Sequence, residues 1–185
     1  MIDLNDKGFC IFGLRGGGKT NLAKHILKQY AGKALIYDTL HEYDDAPFDN
    51  FRPTDRQSVA ELENITRLVM KSRRYKLFII DETNRYCPAK PKPLPQAVAD
   101  LNDWQRHYGI STGYICRRPS QLNGDLTELA AYLFIFKLTG KNDIQYLNDI
   151  AVGMGDAAAA LRPFHYILAP PDRGQYQVKK PVPEY

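Results

Sequence analysis

A glycine-rich segment carries the clearest chemical signal in the chain. Residues 13–20 read Gly-Leu-Arg-Gly-Gly-Gly-Lys-Thr and match G-x-x-x-x-G-K-[ST] at every constrained position. Because glycines lack a Cβ, the backbone N–H groups of such a loop can curl around phosphate oxygens. Lys19 can reach the β- and γ-phosphates of a nucleoside triphosphate, and the Thr20 hydroxyl can ligate Mg²⁺. The predicted nucleotide-binding residues are Gly13, Leu14, Arg15, Gly16, Gly17, Gly18, Lys19, Thr20 and Asn21.

The residues around this loop predict the strand and the helix that the motif needs. Residues 8–12, Gly-Phe-Cys-Ile-Phe, form a short apolar run typical of a buried strand. From Asn21 to Tyr30, apolar side chains recur at helical spacing, which predicts a helix directly after the loop. The first turn of that helix would direct unpaired N–H groups and a positive dipole toward bound phosphate. A glycine turn with an incidental lysine is the alternative.

Two adjacent carboxylates give a second signal. Residues 77–80, Leu-Phe-Ile-Ile, predict a buried strand that ends in Asp81 and Glu82. Beside a phosphate loop, Asp81 could hold Mg²⁺ through a bound water, and Glu82 could polarise the attacking water as a general base. A solvated strand end or a helix cap is the alternative for Glu82. This pair favours ATP hydrolysis over phosphoryl transfer by a kinase, since a kinase that activates water would waste its nucleotide.

Apolar runs alternate with helical patterns along the chain, which predicts an α/β fold with a mainly parallel sheet between two helical layers. We expect one domain over residues 1–185, with residues 170–185 loosely packed. Residues 87–95 contain four prolines, which predicts a basic surface loop that serves as a connector. Further strands are predicted at 34–37, 77–80, 111–115, 132–136 and 164–168, and further helices at 59–70, 97–107 and 142–150.

Composition excludes several classes of protein. The chain has 185 residues, 44% of them hydrophobic, and a formal charge of +4. These values are unlike a disordered tail, a collagen-like repeat or a purely electrostatic nucleic-acid binder. Three widely separated cysteines, Cys10, Cys87 and Cys116, fit neither a metal spacing nor a disulfide framework. The acidic start does not resemble a signal peptide, and no apolar run approaches the roughly 20 residues that span a bilayer, so we expect a cytoplasmic protein.

Several segments together resemble the FtsK–HerA superfamily of P-loop ATPases, which pump DNA. Residues 13–20 and 79–82 are shared with many ATPases, whereas residues 36–43, Ile-Tyr-Asp-Thr-Leu-His-Glu-Tyr, are similar to the superfamily's second-strand pattern. Most specific are residues 106–111, Arg-His-Tyr-Gly-Ile-Ser, which run through a strand into residues 116–120, Cys-Arg-Arg-Pro-Ser. The resemblance covers most of the chain and implies a RecA- or FtsK-like P-loop NTPase fold. The short length is similar to the genome-packaging ATPases of membrane-containing icosahedral viruses.

The resemblance implies roles for three arginines. Arg106 matches an arginine finger that reaches the ATP of a neighbouring subunit, and a solvated cation at a helix end is the alternative. Arg118 is a second candidate for this finger. Arg117 stands where the superfamily usually has a glutamine sensor. Because an arginine cannot accept a hydrogen bond from the lytic water, the role of Arg117 is left open.

The resemblance also implies partners. A trans-acting arginine needs head-to-tail neighbours, which we expect to close into a hexameric ring. Double-stranded DNA, bound without sequence specificity, and capsid vertex or portal proteins are the further expected partners. Basic residues 71–76, or Lys90 and Lys92, could contact DNA phosphates, although a solvated surface is the alternative for both. Asp38 and Glu42 could lie near the nucleotide or merely shape a strand-end turn.

The sequence therefore predicts an ATP-hydrolysing DNA translocase that packages a double-stranded DNA genome into a viral capsid, with ATP and Mg²⁺ as cofactors. Such a protein would act in the host-cell cytoplasm or at a virion vertex. One alternative is a nucleotide-gated assembly or secretion factor, in which ATP binding drives docking. A P-loop small-molecule kinase is the other. The predicted catalytic residues are Lys19, Glu82, Arg106, Arg117 and Arg118.

Overall fold

A single sheet lies at the centre of the computed structural model, which describes residues 2–44 and 47–185. Its strands are β1 (Gly8–Phe12), β2 (Ala34–Tyr37), β3 (Asp49–Phe51), β4 (Leu77–Ile80), β5 (Ser111–Cys116), β6 (Tyr132–Phe136), β7 (Tyr166–Ala169) and β8 (Gln177–Lys179). Their order across the sheet is β3-β2-β4-β5-β1-β6-β7-β8. The strands from β3 to β6 in this order are parallel, and β7 and β8 are antiparallel additions at one end.

Helices cover both faces of this sheet. They are α1 (Lys19–Gln29), α2 (Val59–Ser72), α3 (Gln96–Tyr108), α4 (Gly124–Leu129), α5 (Lys141–Ile150) and α6 (Met154–Ala159). On one face, the apolar side of α1 packs on β1 through Phe9 and Ile11. On the other face, residues of the remaining helices pack on Cys10 and Phe12 of the same strand. The α/β fold with three layers is therefore confirmed, and burial on both faces explains why the parallel strands read as continuous apolar runs.

The strand β5 lies between β1 and β4 and pairs with both in parallel register. Gly8 of β1 is opposite Thr112, and Leu77 of β4 is opposite Ser111. Because the carboxyl ends of parallel strands meet at one edge of a sheet, the segments that follow β1, β4 and β5 are neighbours. The phosphate-loop sequence follows β1, Asp81 and Glu82 follow β4, and residues 117–118 follow β5. We call this edge the loop edge and the other the start edge.

Four short elements are not predicted by the sequence, namely β3, α4, α6 and β8. The strand β3 has only three residues, two of them polar, so it has no measurable periodicity. The helices α4 and α6 have six residues each, which is too short for a helical repeat to be recognised. The predicted last strand, 164–168, is observed at Tyr166–Ala169. These elements form because long-range contacts stabilise them.

Both proline-rich segments lack helices, as predicted, apart from one short 3-10 turn at Arg173–Gln175. Residues 89–95 have neither helix nor strand, and the loop is attached to the segment before α4 by a hydrogen bond from the N–H of Ala89 to the carbonyl of Gln121. The prolines of residues 170–185 predict loose packing, but this tail contains β8, which pairs with β7. Most of its side chains are exposed, but Arg173 donates hydrogen bonds to the carbonyls of Thr127, Ala130 and Ala131, so the tail is held by this side chain as well as by its backbone.

The described ranges, 2–44 and 47–185, contain no helix of the length and apolarity needed to cross a membrane.

The side chains that β1 and β4 place beside Gly113 of β5 predict a strict size limit at this position. A Cβ at this position would lie 2.6 Å from the Phe9 ring and 3.0 Å from the Ile79 side chain. We expect Gly113→Ala to lower the free energy of unfolding by about 1–3 kcal/mol, as overpacking usually does. Urea denaturation measures this change. The control is Gly124→Ala at the start of α4, where a Cβ meets only the Glu128 carboxylate at 3.5 Å, and an equal midpoint for both variants would contradict the prediction.

Candidate functional site

The phosphate-loop sequence forms the turn from β1 into α1, and its glycines permit the conformation. Gly18, directly before α1, has a φ of 108°, a value that side chains rarely adopt. The loop also lies against Phe136 at the end of β6. A Cβ at Gly13 would lie 2.6 Å from the Phe136 Cβ, and one at Gly18 would lie 3.0 Å from the Phe136 ring. Phe136 is thus the buried support of the loop, and no motif in the sequence points to it.

Lys19 folds back over the loop that it follows. Its ammonium group donates a hydrogen bond to the carbonyl of Leu14 at 3.0 Å. Burial lowers the pKa of Lys19, while the nearby carboxylates of Asp81 and Glu82 act in the opposite direction. The cation therefore lies inside the turn, and the unpaired N–H groups of the first turn of α1 begin at the same point. A phosphate placed there would meet both kinds of donor.

Thr20 lies beside a carboxylate from the loop after β2. The Thr20 hydroxyl donates a hydrogen bond to the Glu42 carboxylate at 3.0 Å. The turn that carries Glu42 is shaped by Asp38, whose buried carboxylate accepts hydrogen bonds from the N–H groups of Glu42 and Tyr43. The sequence leaves open whether these acidic residues lie near the nucleotide or shape a strand-end turn. In the structure Glu42 contacts Thr20 of the phosphate loop, whereas Asp38 binds the backbone of the turn.

Asp81 lies at the loop edge with its carboxylate almost fully buried. Burial, and then the negative charges of Glu82, Glu42 and Asp38, raise the pKa of Asp81 to about 7. The hydroxyl of Tyr43 is buried close to this carboxylate. An excess of buried negative charge at one point is a feature that a hard cation would compensate.

The residues present fit a magnesium ion that is shared with a nucleotide. Within residues 2–44 and 47–185, no group of three or more His, Cys, Asp or Glu side chains could by itself hold a metal ion. Mg²⁺, however, is usually bound by one or two protein oxygens together with phosphates and waters. Thr20 and Asp81 are such oxygens and would serve as these ligands.

Glu82 is paired with an arginine. Its carboxylate accepts a hydrogen bond from Nε of Arg117 at 2.8 Å, and Nε of Arg85 lies 3.9 Å from its second oxygen. The backbone of Glu82 has a φ of 49°, a left-handed conformation that costs a residue with a Cβ roughly 1–2 kcal/mol. The sequence predicts both Glu82 and Arg117 as catalytic, but it does not predict that they bind one another.

Arg118 points to a different partner. Its Nε donates a hydrogen bond to the Asp143 carboxylate at 3.0 Å, and Asp143 also accepts hydrogen bonds from the N–H and hydroxyl of Ser120. Asp143 is buried in the first turn of α5. The ion pair joins the segment after β5 to the start of α5, which is a structural role. Arg118 is thus a weaker candidate than Arg106 for a finger that reaches a neighbouring subunit.

Arg106 lies away from the other predicted catalytic residues. It is exposed in the last turn of α3, and the chain turns directly after this helix into the first residues of β5. The phosphate loop begins where β1 ends, so about 17 Å of strand separates the two positions. Arg106 is therefore at the start edge and cannot contact the phosphate loop of its own chain.

The two basic segments proposed for DNA also lie at opposite edges. Residues 71–76 precede β4 at the start edge, and within this segment Arg74 forms an ion pair with Asp49 at 2.7 Å. Lys90 follows β4 and forms an ion pair with Asp125 at 2.7 Å. Part of the positive charge in each segment is therefore compensated, and contact with DNA stays a prediction for both.

No protein-family model and no curated protein sequence matches this chain. Solved structures do match it. The genome-packaging NTPase B204 of Sulfolobus turreted icosahedral virus 2, in complex with ATP-gammaS, has a TM-score of 0.81 at 16% identity over 96% of this chain and 98% of that chain. The DNA-packaging ATPase B204 of Sulfolobus turreted icosahedral virus has a TM-score of 0.83 at 15% identity, over 98% and 100%. The N-terminal domain of zonular occludens toxin from Neisseria meningitidis has a TM-score of 0.57 at 14% identity, over 97% and 86%.

These likenesses establish the fold. The expected P-loop NTPase fold, with a mainly parallel sheet between helices, is confirmed over nearly the whole chain. The resemblance to viral genome-packaging ATPases is thus confirmed at the level of the fold. The roles of the individual site residues stay predictions, because identities of 15–16% do not transfer them.

Removal of the buried Asp81 charge is expected to change the dependence of stability on pH. A carboxyl whose pKa rises to about 7 on folding holds its proton more tightly in the folded chain, so stability falls as pH rises from about 4 to 7. Asp81→Asn removes this loss. The free energy of unfolding of the variant relative to the original chain should therefore increase by about 2–3 kcal/mol between pH 5 and pH 8.

Urea denaturation in EDTA, without nucleotide, measures this difference. The control is Asp103→Asn, which removes an exposed carboxylate from α3. If the free energies of unfolding of Asp81→Asn and the original chain differed by a constant amount from pH 5 to pH 8, Asp81 would be charged throughout this range.

Proposed function

We propose that this chain is a Mg²⁺-dependent ATPase that hydrolyses ATP and moves double-stranded DNA. The observation that carries this proposal is the meeting of the phosphate loop with Asp81 and Glu82 at one edge of the sheet, across β5. A nucleotide held on the loop would have its terminal phosphate directed toward these carboxylates. That is the arrangement in which water can be activated for attack on phosphorus.

Each residue of the loop edge has a definite part in this reaction. Backbone N–H groups of the loop and the Lys19 ammonium bind the phosphates, while Thr20 and Asp81 hold the metal ion. When bound, Mg²⁺ would neutralise charge that develops on the phosphate oxygens. Glu82 accepts the proton of the attacking water. Asp38 keeps the turn of Glu42 against Thr20 and so orders this side of the site.

The ion pair between Arg117 and Glu82 must open before Glu82 can accept a proton. One carboxylate oxygen of Glu82 already accepts a hydrogen bond from Nε of Arg117 at 2.8 Å, so this pairing competes with a hydrogen bond from the attacking water. Since β5 lies between β1 and β4, Arg117 can turn from Glu82 toward a phosphate on the loop. We infer that Arg117 leaves the Glu82 carboxylate and binds a phosphate oxygen when ATP binds. Arg117 would then sense the nucleotide in place of the glutamine that the superfamily usually has at this position.

The position of Arg106 supports action between subunits. It lies at the start edge of its own chain, so only the loop edge of a neighbouring copy could bring it near a nucleotide. Contacts between two different edges are head-to-tail contacts, and they close into a ring when the rotation allows. We propose a ring, expected to be a hexamer, in which Arg106 stabilises the negative charge of the neighbour's transition state.

Packaging of a viral genome is the specific activity that we propose for this ATPase. The support is the likeness over the full length to the genome-packaging NTPase B204 of two archaeal viruses. Double-stranded DNA would be bound without sequence specificity, and capsid vertex or portal proteins would be further partners. The site of action would be the host-cell cytoplasm or the virion vertex.

A second candidate is a nucleotide-gated assembly or secretion factor. One observation favours it: the predicted general base is already bound to Arg117. If that ion pair persisted with ATP bound, the protein would bind nucleotide and turn it over slowly, so binding itself would drive docking. Turnover and its dependence on DNA distinguish the two functions.

ATP turnover with and without double-stranded DNA, over a series of protein concentrations, tests the proposal. We expect turnover per subunit to rise with both, because DNA and neighbours complete the site. Glu82→Gln keeps the size of the side chain and one acceptor oxygen, but its amide cannot accept a proton from water. We expect it to bind ATP at least as tightly, since Arg117 no longer has to leave a carboxylate, and to hydrolyse it about 10²–10⁴-fold more slowly.

The matched control is Asp103→Asn, which alters an exposed acidic residue in the second half of α3, away from the loop edge. Turnover that is independent of DNA and of concentration would contradict the motor. Normal hydrolysis by Glu82→Gln would remove Glu82 from the mechanism.

Mixed subunits test whether Arg106 acts on a neighbour. Lys19→Ala disables the phosphate loop, and Arg106→Ala should lower turnover by about 10³-fold or more, as loss of an arginine finger does. In a head-to-tail ring, a Lys19→Ala subunit still presents Arg106 to an Arg106→Ala subunit whose loop is intact. We therefore expect a mixture of the two inactive variants to regain part of the turnover.

The control mixture combines Lys19→Ala with Glu82→Gln. Each variant is altered at the loop edge of its own subunit. A ring built from the two variants should therefore contain no intact site. Full turnover by Arg106→Ala alone would identify Arg106 as a solvated helix-end cation.

A further inference from the structure

A cavity of about 490 Å³ opens directly beside the phosphate loop. One wall is the loop end and first turn of α1, and it includes Gly18 and Thr20. The opposite wall is the C-terminal tail, residues 181–185, of which Pro181, Val182, Glu184 and Tyr185 line the cavity. The rest of the lining consists of Asn21, Lys24, Phe136 and Phe164. The volume is within the range of small-ligand pockets, and its walls combine apolar and aromatic side chains with a few polar groups.

The tail is attached to α1 by the residue that follows the phosphate motif. The side-chain amide of Asn21 donates a hydrogen bond to the Pro183 carbonyl at 2.7 Å and accepts one from the Tyr185 N–H at 2.9 Å. His25, one turn later on α1, has its Nε2 2.8 Å from the same Pro183 carbonyl. Asn21, which the sequence predicts to bind nucleotide directly, thus positions the tail that forms the cavity wall.

Phe164 lies at the cavity rim in an unusual conformation. It is 56% exposed although it is a large aromatic residue, and its φ is 61°. A bulky side chain rarely adopts this left-handed region. Strain of this kind persists where the surrounding structure fixes it, and it is frequent at ligand sites. An exposed ring at the mouth of an aromatic cavity is a flat surface on which another ring can stack.

We propose that this cavity is the nucleobase subsite of the nucleotide site, with Phe164 as its stacking surface and the 181–185 tail as its outer wall. The proposal rests on nucleotide binding by the phosphate loop, as proposed above. Gly18 and Thr20 belong both to the loop and to the cavity, so a nucleotide with its phosphates on the loop would extend its sugar and base toward this space. The base would then exchange water for apolar and aromatic contacts.

The test compares two ligands that share phosphates but differ in the base. Isothermal titration calorimetry of the full chain with Mg²⁺ gives the dissociation constants of ATP and of inorganic tripolyphosphate. Phe164→Ala should raise the dissociation constant of ATP about tenfold, which is the scale of one base–aromatic stacking contact. The dissociation constant of tripolyphosphate should stay unchanged. Leu68→Ala, an equally exposed apolar position on α2, should change neither constant.

A second variant examines the tail. Removal of residues 181–185 should also raise the dissociation constant of ATP and leave that of tripolyphosphate unchanged. If the shortened chain unfolds, Val182→Ser serves the same purpose. If Phe164→Ala lowered the affinity for both ligands equally, Phe164 would act through the phosphate loop. If its affinity for ATP were unchanged, the base would lie elsewhere. Either result overturns the proposal. If the original chain bound neither ligand, nucleotide binding itself would be wrong, which separates the two failures.

Discussion

The parallel pairing of β5 with both β1 and β4 is the constraint on which the candidate site depends. It sets the carboxyl ends of three strands side by side, so the phosphate loop, the Asp81–Glu82 pair and Arg117 are neighbours although they are far apart in sequence. On one face of these strands, the missing side chain of Gly113 leaves room for the Phe9 ring and the Ile79 side chain to pack against the sheet. Burial of the sheet on both faces makes this arrangement rigid. The site is thus positioned by the core rather than by its own loops.

The charges at the loop edge are compensated unevenly. Glu82 has Arg117 as its partner, whereas Asp81 is buried among other carboxylates and has a pKa of about 7. Lys19 bonds to a backbone carbonyl and not to a carboxylate. A nucleotide with a divalent cation would supply what both groups lack, a phosphate for Lys19 and a positive charge for Asp81. Binding would then lower the pKa of Asp81 and release its proton below about pH 7, as metal binding to a protonated ligand does.

The sequence predicts the contiguous parts of the site and misses the contacts between distant parts. The loop lies between a strand and a helix as predicted, because residues 8–30 contain the apolar run, the glycines and the helical repeat together. The bond from Thr20 to Glu42 joins residues 22 apart, and the Arg117–Glu82 pair joins residues 35 apart. Such contacts depend on which strands pair, and no local pattern records this. Phe136 supports the loop for the same reason, since β6 pairs with β1 only in the folded sheet.

The tail shows a further limit of local patterns. Its prolines predict loose packing, since they cannot continue a helix or a central strand. Proline nevertheless keeps its carbonyl as an acceptor, and the Pro183 carbonyl is the atom that Asn21 and His25 contact. An edge strand of three residues, β8, is enough to direct the chain from β7 toward α1. A segment that lacks regular structure can therefore still be fixed at a functional edge, provided that its backbone acceptors meet donors on a helix that the core already positions.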